Sequence, residues 1–241
     1  MQVVCNRDDY ERFVQDCLNG KDITNWLKIL DLSKYDNEVL FMKLSTHCYR
    51  NDKENLAILK ILLADSRVTK KINYRDLLYN LCKNDNVLSV EYILNEIKPD
   101  FTQDNKKHGE NYWLTKCFDC SIQFGAYRCT RLFLHDDRVN NLVHLYGTVL
   151  LDWSTSYYNV FHLLWQDPRI NPDDNYEYVI NAINDNNYDT LCLILSDSRI
   201  RIPSYIYGMA NNPDTDPSIK RILTEHSFSL DSHNYNKNII E

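Results

Sequence analysis

Leu62-Leu63-Ala64-Asp65-Ser66-Arg67-Val68 decides the fold, because the chain says it again. The pattern is an apolar stretch, then Asp-x-Arg, then Val or Ile. It returns as Phe133-Leu134-His135-Asp136-Asp137-Arg138-Val139, as Leu164-Trp165-Gln166-Asp167-Pro168-Arg169-Ile170, and as Ile194-Leu195-Ser196-Asp197-Ser198-Arg199-Ile200. The arginines are 71, 31 and 30 residues apart. The long gap hides a degenerate copy, Tyr92-Ile93-Leu94-Asn95-Glu96-Ile97-Lys98, with Glu96 for the Asp and Lys98 for the Arg. The remaining excess reads as an insertion, Phe101 to Glu110. Weaker copies flank the array at Ile29-Leu30-Asp31-Leu32-Ser33 and at Ile222 to Phe228.

Self-similarity at a period of 30 or so residues is the mark of a repeat architecture. Within a unit the apolar spacing predicts two short helices. One runs from about Tyr74 to Cys82, with Leu77, Leu78, Leu81 and Cys82 on one face. After Lys83-Asn84-Asp85-Asn86 the second runs from about Val87 to Ile97, apolar at i, i+3 and i+4. The same layout is expected at Glu177–Ile183 with Tyr188–Leu195, and at Glu38–His47 with Leu56–Leu63, the latter pair split by a turn over Arg50–Asn55. Asn73, Asn111 and Asn175, each before a Tyr, suit helix N-caps. Helices this short are marginal alone, but stacked units share a continuous core.

Composition agrees. Five glycines stand against 17 tyrosines, where average usage would give roughly 17 glycines. Few residues can then take φ > 0, which argues against tight β-hairpins and Gly-rich phosphate loops. Asn and Asp are the expected substitutes in the inter-helix turns. The net charge of −7 and the lack of a Lys/Arg block do not favour nucleic acid. No run approaches the ~18 apolar residues of a membrane span. The first nine residues do not read as a targeting segment. Eight cysteines then read as reduced, buried thiols in a cytoplasmic setting.

With these units on the page, the chain resembles a divergent ankyrin-repeat protein, and is most similar to the ankyrin-like arrays of giant viruses of amoebae. The residues that carry the resemblance are Asn175-Tyr176 through Ile200, with Ala182 at the small-residue position, and the turn Asn19-Gly20-Lys21. The usual Thr-Pro-Leu-His opening and the Gly after the second helix are missing. The resemblance implies an all-α, ankyrin-like solenoid of about seven helix-turn-helix repeats. It would form one domain over residues 1–241, with 229–241 as a polar tail or cap. It also implies protein–protein interaction without catalysis, with a protein partner held on the concave face and inter-repeat loops, in host cytoplasm if the chain is viral. The alternative is a structural or assembly component, for example of a virion. A monomer is expected, with no cofactor and no metal.

Candidate chemistry is sparse. Cys117-Phe118-Asp119-Cys120 is a lone Cys-x-x-Cys, placed on a first helix where Cys117 aligns with Cys82. Zinc needs four ligands and a structural site usually pairs two such knuckles, so buried thiols are the expectation. The pairs Asp65/Arg67, Asp136/Arg138, Asp167/Arg169 and Asp197/Arg199 are expected to be structural, each arginine forking onto a carboxylate or carbonyl along the stack. Partner contacts are assigned to Lys106 and His108 in the insertion, and to Tyr112, Trp113, Tyr157, Tyr158, Tyr178 and Tyr207 near helix starts. Tyr and Trp are enriched at binding hot spots.

Overall fold

The computed structural model describes residues 7–32, 40–41, 43, 52–69, 72–101, 106, 111–172 and 176–237. Among them every regular element is helical and no strand occurs. The helices are α1 (Arg7–Leu18), α2 (Thr24–Ile29), α3 (Asp52–Leu63), α4 (Ser66–Thr69), α5 (Tyr74–Lys83), α6 (Val87–Tyr92), α7 (Tyr112–Gln123) and α8 (Tyr127–Leu134). They continue as α9 (Asn140–Ser154), α10 (Tyr158–Trp165), α11 (Glu177–Asn184), α12 (Tyr188–Leu195), α13 (Ser204–Gly208) and α14 (Pro217–Lys237). The chain forms two compact units, Met1–Val139 and Asn140–Glu241.

Both units are built in two layers. In the first, α5 packs on its partner α6 and on α7, the first helix of the next pair, while second helices α3, α6 and α8 pack in series. In the second unit α9 packs on α11, and α10, α12 and α14 follow one another. First helix thus meets first helix and second meets second, as a repeat read from sequence demands. The core residues are those on the apolar faces: Leu77, Leu78, Leu81 and Cys82 of α5, and Tyr178, Val179, Ala182 and Ile183 of α11, all buried.

The turn between paired helices is a recurring piece of stereochemistry. Asp85 and Asn186 lie at φ 55° and 54°, beside Gly20 at 70° and Gly125 at 68°. After α5, Asp85 N–H donates to Cys82 O at 3.1 Å and Asn86 N–H to Leu81 O at 2.9 Å. Gly125 and Ala126 repeat those bonds onto Ile122 and Ser121, and Asn186 and Asn187 onto Ile183 and Ala182. This is the Schellman arrangement, which needs one left-handed residue. Asp and Asn therefore fill the glycine position twice, while glycine keeps it twice.

Several local expectations shift. Residues 52–55, assigned to a turn, are the first turn of α3. Asn73 does cap α5, accepting from Arg75 N–H at 3.1 Å. Asn111 does not cap α7: it sits at φ 60° with no side-chain cap bond, and its Nδ2 donates to Arg138 O at 3.4 Å. The missed cap is Asn187, whose Oδ1 accepts from Thr190 N–H at 3.2 Å. The caps read at Asn175 and most of the helix read at Glu38–His47 lie outside the described residues. In the degenerate copy the second helix does not stop at an Asp turn; it runs on as a π-turn, Ile93–Ile97, closed by Lys98 at φ 49°. The backbone of residues 229–237, assigned to a polar tail, is helical within α14.

Candidate functional site

The Asp-x-Arg signature is a closed local staple. In all four copies the Asp carboxylate accepts from the backbone N–H of the Arg two residues on, at 2.9 Å for Arg67 and Arg199 and 3.0 Å for Arg138 and Arg169. The same oxygen accepts from that arginine's Nε at 2.8 to 3.0 Å. The following Val68, Val139 or Ile170 donates its N–H to the Asp carbonyl at 3.0 Å and is buried. The guanidinium bonds hold the carboxyls of Asp65, Asp136 and Asp197 below the usual range, Asp197 at about 2.

Of the expected arginine forks along the stack, the carboxylate side closes on each arginine's own Asp rather than on a neighbouring unit. What reaches the preceding pair differs from copy to copy. Arg67 donates to the carbonyls of Leu30 at 3.0 Å and Leu27 at 2.7 Å, satisfying orphan acceptors at the end of α2. Arg169 bonds Asn140 Oδ1. Asp197 instead accepts from Trp165 Nε1–H at 2.9 Å, with Arg199 5.5 Å from that ring.

The assigned aromatic residues fall into three groups. Tyr178 is fully buried, packed 5.8 Å from Trp165 and 6.5 Å from Phe161, so it is core and presents nothing to a partner. The sequence pairs it with exposed tyrosines because it stands beside a helix start, yet its position on α11 faces inward. Tyr207 is also committed internally, its hydroxyl bonded to His226 Nδ1 at 2.8 Å with the rings stacked. Tyr112 and Trp113 pack edge to face at 5.6 Å at the start of α7. Trp113 lines a cavity of about 560 Å³ with Leu78, Leu94, Lys98 and Arg138. Lys106 is exposed, and His108 lies outside the described residues.

Tyr157 and Tyr158 form the third group, and three exposed residues of α9 that sequence reading passed over join them. Leu145 is 70% exposed, Tyr146 52%, Trp153 39% and Tyr157 40%. Tyr146 and Trp153 are seven residues apart in α9, and both are exposed. Tyr157 stands in the turn that leaves α9, and Tyr158 opens α10, stacked on His162 at 5.7 Å. Tyr146 is the one residue of α9 with non-helical torsions, φ −124° and ψ 19°. It divides a helical connector from the first helix proper. Gly147 follows because the helix passes close to Ile170, whose Cγ atoms would lie 3.2 Å from any Cβ there. The available sequence signal was the departure from pattern: Tyr146, like Tyr205, stands without an Asn where Tyr74, Tyr112 and Tyr176 follow one.

Of the described cysteines, Cys17, Cys82, Cys117, Cys120 and Cys129 are buried and Cys192 is half-buried. Cys82, Cys117 and Cys129 meet in the core of the first unit, and burial drives the Cys82 thiol well above its ordinary value. Burial likewise pushes Cys120 up to about 12. Among the described residues no group of three or more His, Cys, Asp or Glu is arranged to hold a metal ion. Among the same residues no helix is long and apolar enough to cross a membrane. No known protein family, curated protein or solved structure matches this chain.

Proposed function

We propose that the chain is an ankyrin-like helical stack that binds a protein partner without catalysis, through the open side of its first helices and the adjoining turns. One observation carries this reading. Leu145, Tyr146, Trp153 and Tyr157 hold large apolar side chains in water along α9 and its exit turn. Single exposed apolar residues are ordinary, but a set on one element marks an interaction surface. The core does not use these rings: α9 buries Val143, Gly147, Leu150, Leu151 and Ser154 instead.

The two-layer packing supports the same reading. Asp-Arg staples and Schellman turns close locally where they occur, which leaves outward residues free to vary with the partner. The test is capture from cells of the source organism, using the full chain and a Tyr146→Ala/Trp153→Ala variant. Wild type is expected to recover a stoichiometric protein that the variant loses. Equal recovery by a folded variant would place the contact elsewhere.

A further inference from the structure

In the first unit four rings lie near the chain's own cations, while Tyr79 and Tyr127, 39% and 38% exposed, have no Lys or Arg over them among the described residues. Lys60 lies 4.8 Å from the Tyr92 ring, Arg75 5.7 Å from Trp113, Lys83 4.4 Å from Phe124 and Lys116 5.7 Å from Tyr112. Among the described residues of the second unit, Arg199 lies over Trp165, a core tryptophan only 4% exposed. Among the described residues no Lys or Arg stands over Tyr146, Trp153 or Tyr157.

Charge is uneven along the chain. Residues 1–139 carry 21 Lys and Arg and 21 Asp and Glu. Residues 140–241 carry 6 and 13, so the whole net charge of −7 belongs to the second unit. That stretch of sequence carries an excess of carboxylates and few cations, and it holds the exposed rings of Tyr146, Trp153 and Tyr157. A π face attracts a cation most when an anionic surround has already concentrated cations near it.

We infer that the exposed side of α9, formed by Leu145, Tyr146, Trp153 and the adjoining Tyr157, binds a Lys/Arg-rich extended segment of a partner protein. The partner's cations take the place that Arg75 and Lys83 take over the rings of the first unit. Leu145 offers an apolar surface for the aliphatic stems of such side chains. Seven helical residues separate Tyr146 from Trp153, about 10 Å along the axis. A polyproline II segment covers about 9 Å in three residues and carries side chains three apart on the same face, so basic side chains three apart meet both rings. This inference rests on the protein-binding reading above and specifies the chemistry of its partner.

The experiment uses the full chain and fluorescein-labelled 12-residue peptides in fluorescence anisotropy at physiological salt. One peptide carries Arg at every third position among Ser and Gly; its counterpart carries Gln there. The Arg peptide should bind and the Gln peptide should not. Trp153→Leu and Tyr146→Leu keep bulk and charge but remove the π face, and each should weaken binding about two- to fivefold. Trp153→Tyr should restore most of the loss. Thermal melts followed by circular dichroism establish that the variants fold. Equal affinity for the Gln peptide would assign the surface to an apolar occupant. Concentration-dependent mass in sedimentation, lost in Trp153→Leu, would assign it to a second copy of the chain. Unchanged Arg-peptide binding in both Leu variants would reduce the effect to bulk charge. Each of these overturns the inference. If the peptide fails while a cellular partner is still lost with Tyr146→Ala/Trp153→Ala, the basic chemistry falls and the protein-binding reading stands.

Discussion

Asp119 offers the sharpest test of how the first unit is balanced. Its carboxylate sits on α7 at 14% exposure, with Lys116 Nζ 3.9 Å away. Burial raises its carboxyl from 3.8 to about 6, and Lys116 offsets only part of that cost. A shift of about two units at ~1.36 kcal/mol each means that ionising Asp119 in the folded state costs about 3 kcal/mol. The folded state holds its proton more tightly than the unfolded chain. The penalty is therefore absent below about pH 4, grows as pH rises through the interval to about pH 6, and is complete above it. Asp119→Asn is nearly isosteric and carries no charge. Its own amide desolvation is constant with pH, so the informative quantity is the change in the variant-minus-wild-type difference. That difference should grow by about 2 kcal/mol in the variant's favour between pH 4.5 and pH 7.5, since about two-thirds of the penalty accrues above pH 4.5. Urea unfolding followed by circular dichroism at four pH values reads it directly. A difference flat with pH, or one that turns against the variant as pH rises, would refute the burial argument.

The staples make a graded prediction. Asp197→Ala strips Arg199 of its partner and leaves the buried Trp165 N–H without an acceptor, so a loss of about 2 kcal/mol is expected in urea unfolding. Asp136→Ala removes a partly exposed pair that closes on itself and should cost under ~1 kcal/mol. Because Arg199 holds Asp197 at about 2, its stabilisation is present above pH 4 and is lost between there and about pH 2, which an acid titration of wild type against Asp197→Ala would show. Asn73→Ala should cost about 1 kcal/mol by uncapping α5. Asn111→Gly should be neutral or better, since Asn111 supplies no side-chain cap at φ 60°. Asn186→Gly relieves the left-handed turn after α11 and should raise the melting temperature slightly; a fall would show that the Asn side chain is needed there.

How much the residues told in advance depended on the range of the interaction. Helix pairs were legible because apolar spacing is a property of each segment: Tyr188–Leu195 appears with its expected ends, and Tyr74–Cys82 is one residue short of the observed helix. The left-handed Asp85 and Asn186 were legible for the same reason, since a polar cluster between two apolar faces must turn. Asn111 misled because the Asn-Tyr pair looks identical whether the Asn enters the helix extended, as Asn73 does, or left-handed after an insertion. The candidate surface was only half legible. Tyr157 and Tyr158 were found, but Tyr146 and Trp153 were not, because exposure depends on helix phase, and the connector merged into α9 moves that phase. Tyr178 failed for the opposite reason: its phase on α11 carries it into the aromatic cluster with Trp165.

The staple also explains how such an array tolerates drift. A motif whose Asp and Arg satisfy each other within three residues needs nothing fixed from the neighbouring pair. The residual donor is then free to find a backbone carbonyl at Leu27, a side-chain amide at Asn140, or to be replaced altogether by the bond from Trp165 to Asp197. Contacts between pairs can change without disturbing the turn that defines them. Where even the Asp is lost, as in the copy ending at Lys98, the helix overruns into a π-turn and the period breaks just beyond it. The regular copies hold the period and the departures carry what is individual to the chain. The clearest departure in the second unit is the kink at Tyr146, which stands with Leu145, Trp153 and Tyr157 among the exposed large apolar residues, and the proposed partner contact is put there for that reason.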